Sequence, residues 1–373
     1  MNILKNRIDK SKLNLIKYSQ LRIKESKIRK FQEKLLQEEY NSTISNLIIF
    51  LTPGNDIVNG GILSISSIYE ETKKLKNSHN TDVILCTVPG DPPLLKYTQF
   101  KNQNYIYDLS SVLSYFLNLK KVIIHIPEIY CGQFLNELST EDWKILENIE
   151  NLHINIMMQN IELVFQFLND IRKLSQIFEN VTGTIAHEKY SNKEIRDKMG
   201  FPLHKLSTFI SPERYDKKDY DEKEDILLVS PDHHPMKSII LELIGEKFPN
   251  MKIQIIEGLK YEEYKELISK AKWSLTFGEG LDGYFIEPIF SGSISFSVYN
   301  SQFFTKDFKS LKTVYTKYEE LIETMPSDIS FLDHKKEYIN YQTKQFKLCT
   351  KYYHYETYIK NLESFYKKDY TFK

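Results

Sequence analysis

Cysteine is scarce in this chain: Cys86, Cys131 and Cys349 are three among 373 residues, odd in number and widely spaced. That argues against a disulfide framework and fits reduced, packed thiols in a cytosolic protein. Net charge is absent as well, since 50 Lys and Arg balance 50 Asp and Glu, and no nucleic-acid partner is expected. No apolar run reaches the roughly 18 residues of a membrane span. The start of the chain carries Lys5, Arg7, Lys10 and Lys12 but no continuous apolar core or small-residue cleavage site, so export by the secretory route is not expected. Internal repeats and low-complexity tracts are missing. The adjacent His233 and His234 lack companions at zinc-ligand spacing, which removes a zinc reading.

What is present is length and alternation. At 373 residues the chain exceeds the usual single-core size of about 250, so two domains are expected. Residues 1–40 form a basic leader in which Leu13, Ile16, Leu21, Ile28, Phe31 and Leu35 recur at approximately helical spacing. One amphipathic helix or a pair fits, either touching an anionic membrane surface or a partner, or capping the first domain. From residue 47 short apolar strands (47–51, 82–87, 122–126, 154–158, 181–186, 207–210) alternate with helical stretches, which predicts a parallel sheet with helices on both faces. Ligands of such a sheet sit at its carboxyl edge. The charged segment 213–225 is the linker candidate. A smaller sheet of the same kind follows (226–229, 252–256, 274–277, 293–296), and the chain ends in helices rich in Tyr, including Tyr352, Tyr353 and Tyr358. The expected domains are therefore 1–40, 41–212, 213–349 and a final helix within 350–373.

The most informative stretch is 277–293, Phe-Gly-Glu-Gly-Leu-Asp-Gly-Tyr-Phe-Ile-Glu-Pro-Ile-Phe-Ser-Gly-Ser. It sets Glu279 and Glu287 on either side of a glycine-bearing turn that opens a helix. Free amides around Gly283 and Tyr284 would face an anion, while a carboxylate one to two turns along accepts hydrogen bonds from ribose hydroxyls. This is the local chemistry of a nucleoside diphosphate site.

The Glu-x7-Glu spacing and the Ser-Gly after it resemble the signature of retaining GT-B glycosyltransferases, family 4 above all. The run 181–214, containing Gly200-Phe201-Pro202, resembles that family's strand, helix, Gly-x-Pro, strand passage. Asn59-Gly60-Gly61 before a helix, and a strand followed by Lys237, match the places where the family grips donor phosphate. The resemblance covers roughly residues 45–300. It implies an α/β architecture, two Rossmann-like parallel-sheet domains facing a central cleft, with the last helix crossing back to the first domain.

The same resemblance implies roles. Glu287 would bind the ribose, Glu279 the donor sugar, and Lys237, Gly60 and Gly61 the leaving pyrophosphate. The family's Arg partner of that Lys is missing, its place being held by Pro231 or Asp232, and Arg214, His233 or His234 would have to supply the cation. Asp282 stands where the family has glycine, and it would contact a sugar hydroxyl. Gln159, Asn160 and Glu162 resemble the Gln-Asp-x-Glu pattern of a subset that includes rhamnosyltransferases. They would bind acceptor or donor hydroxyls. His125 and His187 close predicted strands and would line the cleft or serve locally as packed histidines.

The implied activity is metal-independent, retaining transfer of a sugar from a nucleoside diphosphate donor to a glycan or lipid-linked acceptor. No Asp-x-Asp follows a strand, the candidates within 216–221 lying in the charged linker, and no cofactor beyond the donor substrate is implied. Surface polysaccharide or glycoconjugate synthesis at the cytoplasmic face of the inner membrane would be the setting. The alternative is a non-catalytic scaffold subunit whose phosphate grip has decayed. An epimerase or phosphorylase on the same fold has no positive sign in the sequence.

Overall fold

The computed structural model describes residues 2–207 and 210–373, with side chains from residue 20 onward. Contacts divide the chain into two units. The first comprises Met1–Thr98, Asn102–Met158 and Glu162–Gly183, and the second Gln99–Lys101, Gln159–Ile161 and Thr184–Lys373.

The leader is a single continuous helix, α1 (Asn2–Glu39). Its end is anchored by buried Gln32, Leu35 and Leu36. Gln32 donates to the carbonyls of Leu94 and Ile106, and Arg29 pairs with Asp108. Leu21, Ile23 and Phe31 are exposed. The side chains of Leu13 and Ile16, part of the amphipathic pattern, lie outside the described residues.

Seven strands form the first sheet: β1 (Asn46–Thr52), β2 (Asp82–Thr87), β3 (Tyr107–Asp108), β4 (Lys121–Pro127), β5 (Asn151–Met158), β6 (Val181–Ile185) and β7 (Leu203–Lys205), in the order β3-β2-β1-β4-β5-β6-β7. Leu47 lies opposite Asp82 on one side and Val122 on the other, in parallel register. Central parallel strands are covered on both faces, which is why Leu47, Ile48, Ile49, Phe50 and Leu51 form an unbroken apolar run and are all fully buried. The crossovers carry α2 (Gly60–Lys74), α3 (Lys76–His79), α4 (Leu109–Tyr115), α5 (Cys131–Glu137), α6 (Thr140–Glu147), α7 (Ile161–Gln166), α8 (Leu168–Ile177) and α9 (Lys193–Met199). Strand order reverses between β1 and β4, the topological switch at which doubly wound sheets bind ligands. The strand expected at 207–210 includes Thr208 and Phe209, which lie outside the described residues.

The second sheet holds β8 (Glu224–Val229), β9 (Lys252–Ile255), β10 (Ala271–Leu275), β11 (Ile294–Val298) and β12 (Val314–Tyr315), ordered β12-β11-β10-β8-β9 and parallel throughout. It carries α10 (Lys237–Lys247), α11 (Tyr261–Lys270), α12 (Gly283–Phe290), α13 (Tyr318–Leu332), α14 (Lys335–Tyr352) and α15 (Tyr355–Tyr366). Leu227, Val229, Trp273 and Leu275 pack with Ile240 and Ile244 of α10 and with Leu321 and Met325 of α13 in one core.

The charged segment 213–225 lies in the second unit. It contains the short turn Tyr220–Glu222 and the first residues of β8. Within it Lys223 is buried and donates to the carbonyls of Ile268 and Ser291 and to Ser293 Oγ. Beyond α15, Phe372 pairs antiparallel with Leu203 of β7, and His204 Nε2 meets the Asn361 carbonyl at 2.7 Å. Among the described residues no helix is long and apolar enough to cross a membrane.

Candidate functional site

The 277–293 stretch leaves β10 and enters α12 through a tight loop. Phe277 N–H donates to Ser230 Oγ at 3.0 Å, tying the end of β10 to the end of β8. Gly280 then takes φ +86°, and a Cβ there would meet Phe304 Cε2 at 2.5 Å, so glycine is required on both counts. Asp282 is the N-cap of α12 and accepts from Phe285 N–H at 3.1 Å and from Thr276 Oγ1 at 3.2 Å. Burial, then the neighbouring charge of Asp232, pushes its carboxyl up to about 6, against hydrogen bonds from Phe285, Thr276 and the Tyr284 amide.

This corrects the expectation for the helix entrance. The amides around Gly283 and Tyr284 were expected to face an anion; of the amides at this entrance, those of Tyr284 and Phe285 bond the Asp282 carboxylate. An aspartate at an N-cap closes its own helix terminus, which is the reason this residue type is favoured there.

Glu287 lies one turn into α12 and is only 7% exposed. Its Oε2 accepts from the Tyr261 hydroxyl at 3.2 Å, and Tyr261 in turn meets the Tyr215 hydroxyl at 3.2 Å. A Cβ on Gly283 would approach Glu287 Oε1 to 2.8 Å, so the carboxylate is folded back against the glycine turn. Burial pushes Glu287 up to about 7, while hydrogen bonds from Tyr261 and Tyr215 and the positive charge of Arg214 pull the other way. Tyr261 and Tyr215 carry no motif in the sequence, and their part in this cluster emerges only in the fold.

Lys237 opens α10, and its ammonium donates to the carbonyls of Ser230 at 2.7 Å and Asp232 at 3.0 Å. The same ammonium stands 5.7 Å from the centre of the Phe277 ring, so the cation lies beside the loop that carries Glu279. Asp232, in the place where the resemblance calls for arginine, points a shielded Oδ2 towards Gly278, without a hydrogen-bond partner among the described residues. His234 stacks on Tyr318 with ring centres 3.7 Å apart, and burial lowers its pKa. His233 is exposed.

Glu279 is half-buried, and its Oε1 accepts from Asn160 Nδ2 at 2.6 Å. The carbonyl of the preceding residue, Gln159, hydrogen-bonds the His187 ring. Thus the structure brings Gln159, Asn160, Glu279 and His187 into one connected group. Glu162 is exposed.

In the first unit, Gly60 and Gly61 begin α2, whose N-cap Asn59 accepts from Ile62 N–H at 2.9 Å. A Cβ on Gly60 would meet nothing within 4 Å, so its surroundings are open. For His125 the packed reading fits its surroundings. It is 1% exposed, stacked on Phe50 at 4.2 Å, and hydrogen-bonded to Asn155 at 2.9 Å. Asn155 continues to Thr182 and from there to His153, a buried polar ladder across β4, β5 and β6. Burial drives the His125 pKa well below its ordinary value. His125 is a neutral histidine satisfied within the sheet, the packed one of its two expected readings. Among the described residues no group of three or more His, Cys, Asp or Glu is placed to hold a metal ion.

No protein-family model and no curated protein matches the chain. Solved structures do. HepE of Anabaena, in complex with UDP-glucose, aligns at 8% identity and a TM-score of 0.52, covering 87% of this chain and 98% of that one. The trehalose-6-phosphate synthase OtsA aligns at 10% identity and a TM-score of 0.53, with the same coverage of 87% and 98%. Likeness at such identity speaks for architecture alone: the chain has the GT-B fold, built of two parallel-sheet α/β units.

Proposed function

We propose that this chain is a glycosyltransferase that takes a sugar from a nucleoside diphosphate donor and passes it to a glycan or lipid-linked acceptor. The observation that carries the reading is the pair of carboxylates around the entrance of α12: Glu279, held by Asn160 at 2.6 Å, and Glu287, buried against Tyr261. In this reading Glu287 accepts hydrogen bonds from the ribose. Glu279 and Asn160 hold sugar hydroxyls, with Gln159 fixing the backbone next to them. Lys237 and Arg214 offset the charge that grows on the leaving diphosphate. The Glu-x7-Glu likeness supports retention of configuration and family 4 membership. Chemistry without a divalent ion rests on those side-chain cations and amides. Because HepE was solved with UDP-glucose, uridine diphosphate sugars are the first donors to try.

Surface polysaccharide or glycoconjugate assembly at a cytoplasmic membrane face is the setting that fits a basic α1. A second reading, a non-catalytic scaffold subunit, is favoured by one specific feature: Asp282 caps α12 and Asp232 replaces the expected arginine, so two carboxylates stand where diphosphate would go. Calorimetric titration with UDP and UDP-glucose, with hydrolysis followed in parallel, separates the two. Binding that Glu287→Ala and Lys237→Ala each weaken about tenfold or more supports the enzyme, each lost charge-assisted contact being worth about 1.5–3 kcal/mol. Absence of any nucleotide binding by the wild type supports the scaffold.

A further inference from the structure

His187 is a titratable side chain left without a role by the reading above, on which the following rests. It ends the segment after β6 and caps the short turn Glu188–Tyr190. Its ring meets Phe303 edge-on at 5.4 Å. Nε2 is shielded from solvent and has no hydrogen-bond partner among the described residues, so the bond to the Gln159 carbonyl is made by Nδ1. A carbonyl can only accept. The proton therefore sits on Nδ1, and in the neutral ring Nε2 presents a bare lone pair.

Burial lowers the pKa of this histidine, which keeps the ring neutral at ordinary pH. A shielded acceptor without a donor is unfavourable and uncommon in folded proteins. Ser191 Oγ, on the same turn, is likewise shielded and without a hydrogen-bond partner among the described residues.

Two contacts bring this turn to the Glu279 loop. Gln159 holds His187 while its neighbour Asn160 holds Glu279. Phe303 packs on His187 while Phe304 packs against Gly280, the residue after Glu279. We propose that His187 is a sugar-contacting residue, its Nε2 accepting a hydrogen bond from a hydroxyl of the donor's sugar, alongside Glu279 and Asn160.

The role predicts a split between the two halves of the donor. His187→Ala and His187→Phe, the latter keeping a ring on Phe303, are titrated with UDP and UDP-glucose and with GDP and GDP-mannose. Thermal denaturation confirms that each variant is folded. UDP or GDP affinity should stay within twofold of wild type, while the added affinity contributed by the sugar falls about five- to thirtyfold in both variants. An unchanged sugar increment in a folded His187→Phe overturns this inference and leaves the glycosyltransferase reading standing. Failure of the wild type to bind any of the four probes overturns both. Weakened binding of UDP and UDP-glucose by the same factor also overturns it, since that marks a purely structural role.

Discussion

At the scale of single residues, Glu287 makes the sharpest prediction. Burial holds its carboxyl at about 7 in the folded chain against an ordinary 4.5, so between those values the folded chain keeps a proton that the unfolded chain has released. Stability contributed below pH 4.5 is therefore lost as pH rises through 7, a cost of the order of 3 kcal/mol for a shift of this size. Glu287→Gln should melt at an equal or higher temperature than wild type at pH 8 and lose that advantage at pH 5, as read by denaturation at the two values. Nucleotide affinity should move oppositely. The ionised form is the better acceptor for ribose, so wild-type binding strengthens from pH 6 to 8, and the Gln variant should bind weakly with a flat profile.

Lys223 provides a second test at this scale. Its ammonium satisfies two carbonyls and a hydroxyl inside the second unit, and Lys223→Ala should lower stability by about 1–3 kcal/mol in urea denaturation, because buried acceptors lose their donor. Little of this was legible in sequence. Lys223 lies in a run of charges that reads as a linker, and only the fold brings it to the carbonyls of Ile268 and Ser291 and to Ser293 Oγ. His125, which the sequence leaves open between an edge residue and a packed one, is buried because Asn155 and Thr182 on neighbouring strands supply a polar ladder.

At the scale of elements, α12 decides how the site handles charge. The sequence makes this helix visible through its glycines and apolar face, and Asp282 directly ahead of Gly283 is an N-cap signal. Reading the amides as free overlooked the competition between an intrachain carboxylate and a ligand phosphate for the same donors. Asp282→Ala should cost about 1 kcal/mol of stability through loss of the cap. In this account it should also strengthen UDP binding, because the amides are released and one negative charge is removed. Thermal denaturation and calorimetry on one variant check both halves. Gly280 belongs to the same element boundary. With φ +86° and Phe304 in the way of any Cβ, Gly280→Ala should destabilise by about 1–3 kcal/mol and weaken binding at Glu279 by displacing its loop.

At the scale of the whole molecule, the architecture was the most legible part. Strands that must be covered on both faces show as unbroken apolar runs, and their alternation with helices dictates parallel order. Most strands of both sheets follow from that pattern; the edge strands β3 and β12 escape it because two residues carry no periodicity, and the three-residue edge strand β7 was not among those expected. Long-range pairings were invisible: Asn160 and Glu279 are 119 residues apart, and spacing within either motif says nothing of the other. The association of Tyr215 and Tyr261 with Glu287 is of the same kind.

The central claim is that the second unit clasps a nucleoside diphosphate sugar between Glu287 and Glu279. Calorimetric titration of the full chain with UDP-glucose, set beside Glu287→Ala and Glu279→Ala, tests it most directly. The account predicts saturable binding by wild type, loss of about tenfold or more in Glu287→Ala for UDP and UDP-glucose alike, and a loss confined to UDP-glucose in Glu279→Ala. Wild-type binding that neither substitution alters, or no binding at all across uridine and guanosine diphosphate sugars, would contradict it.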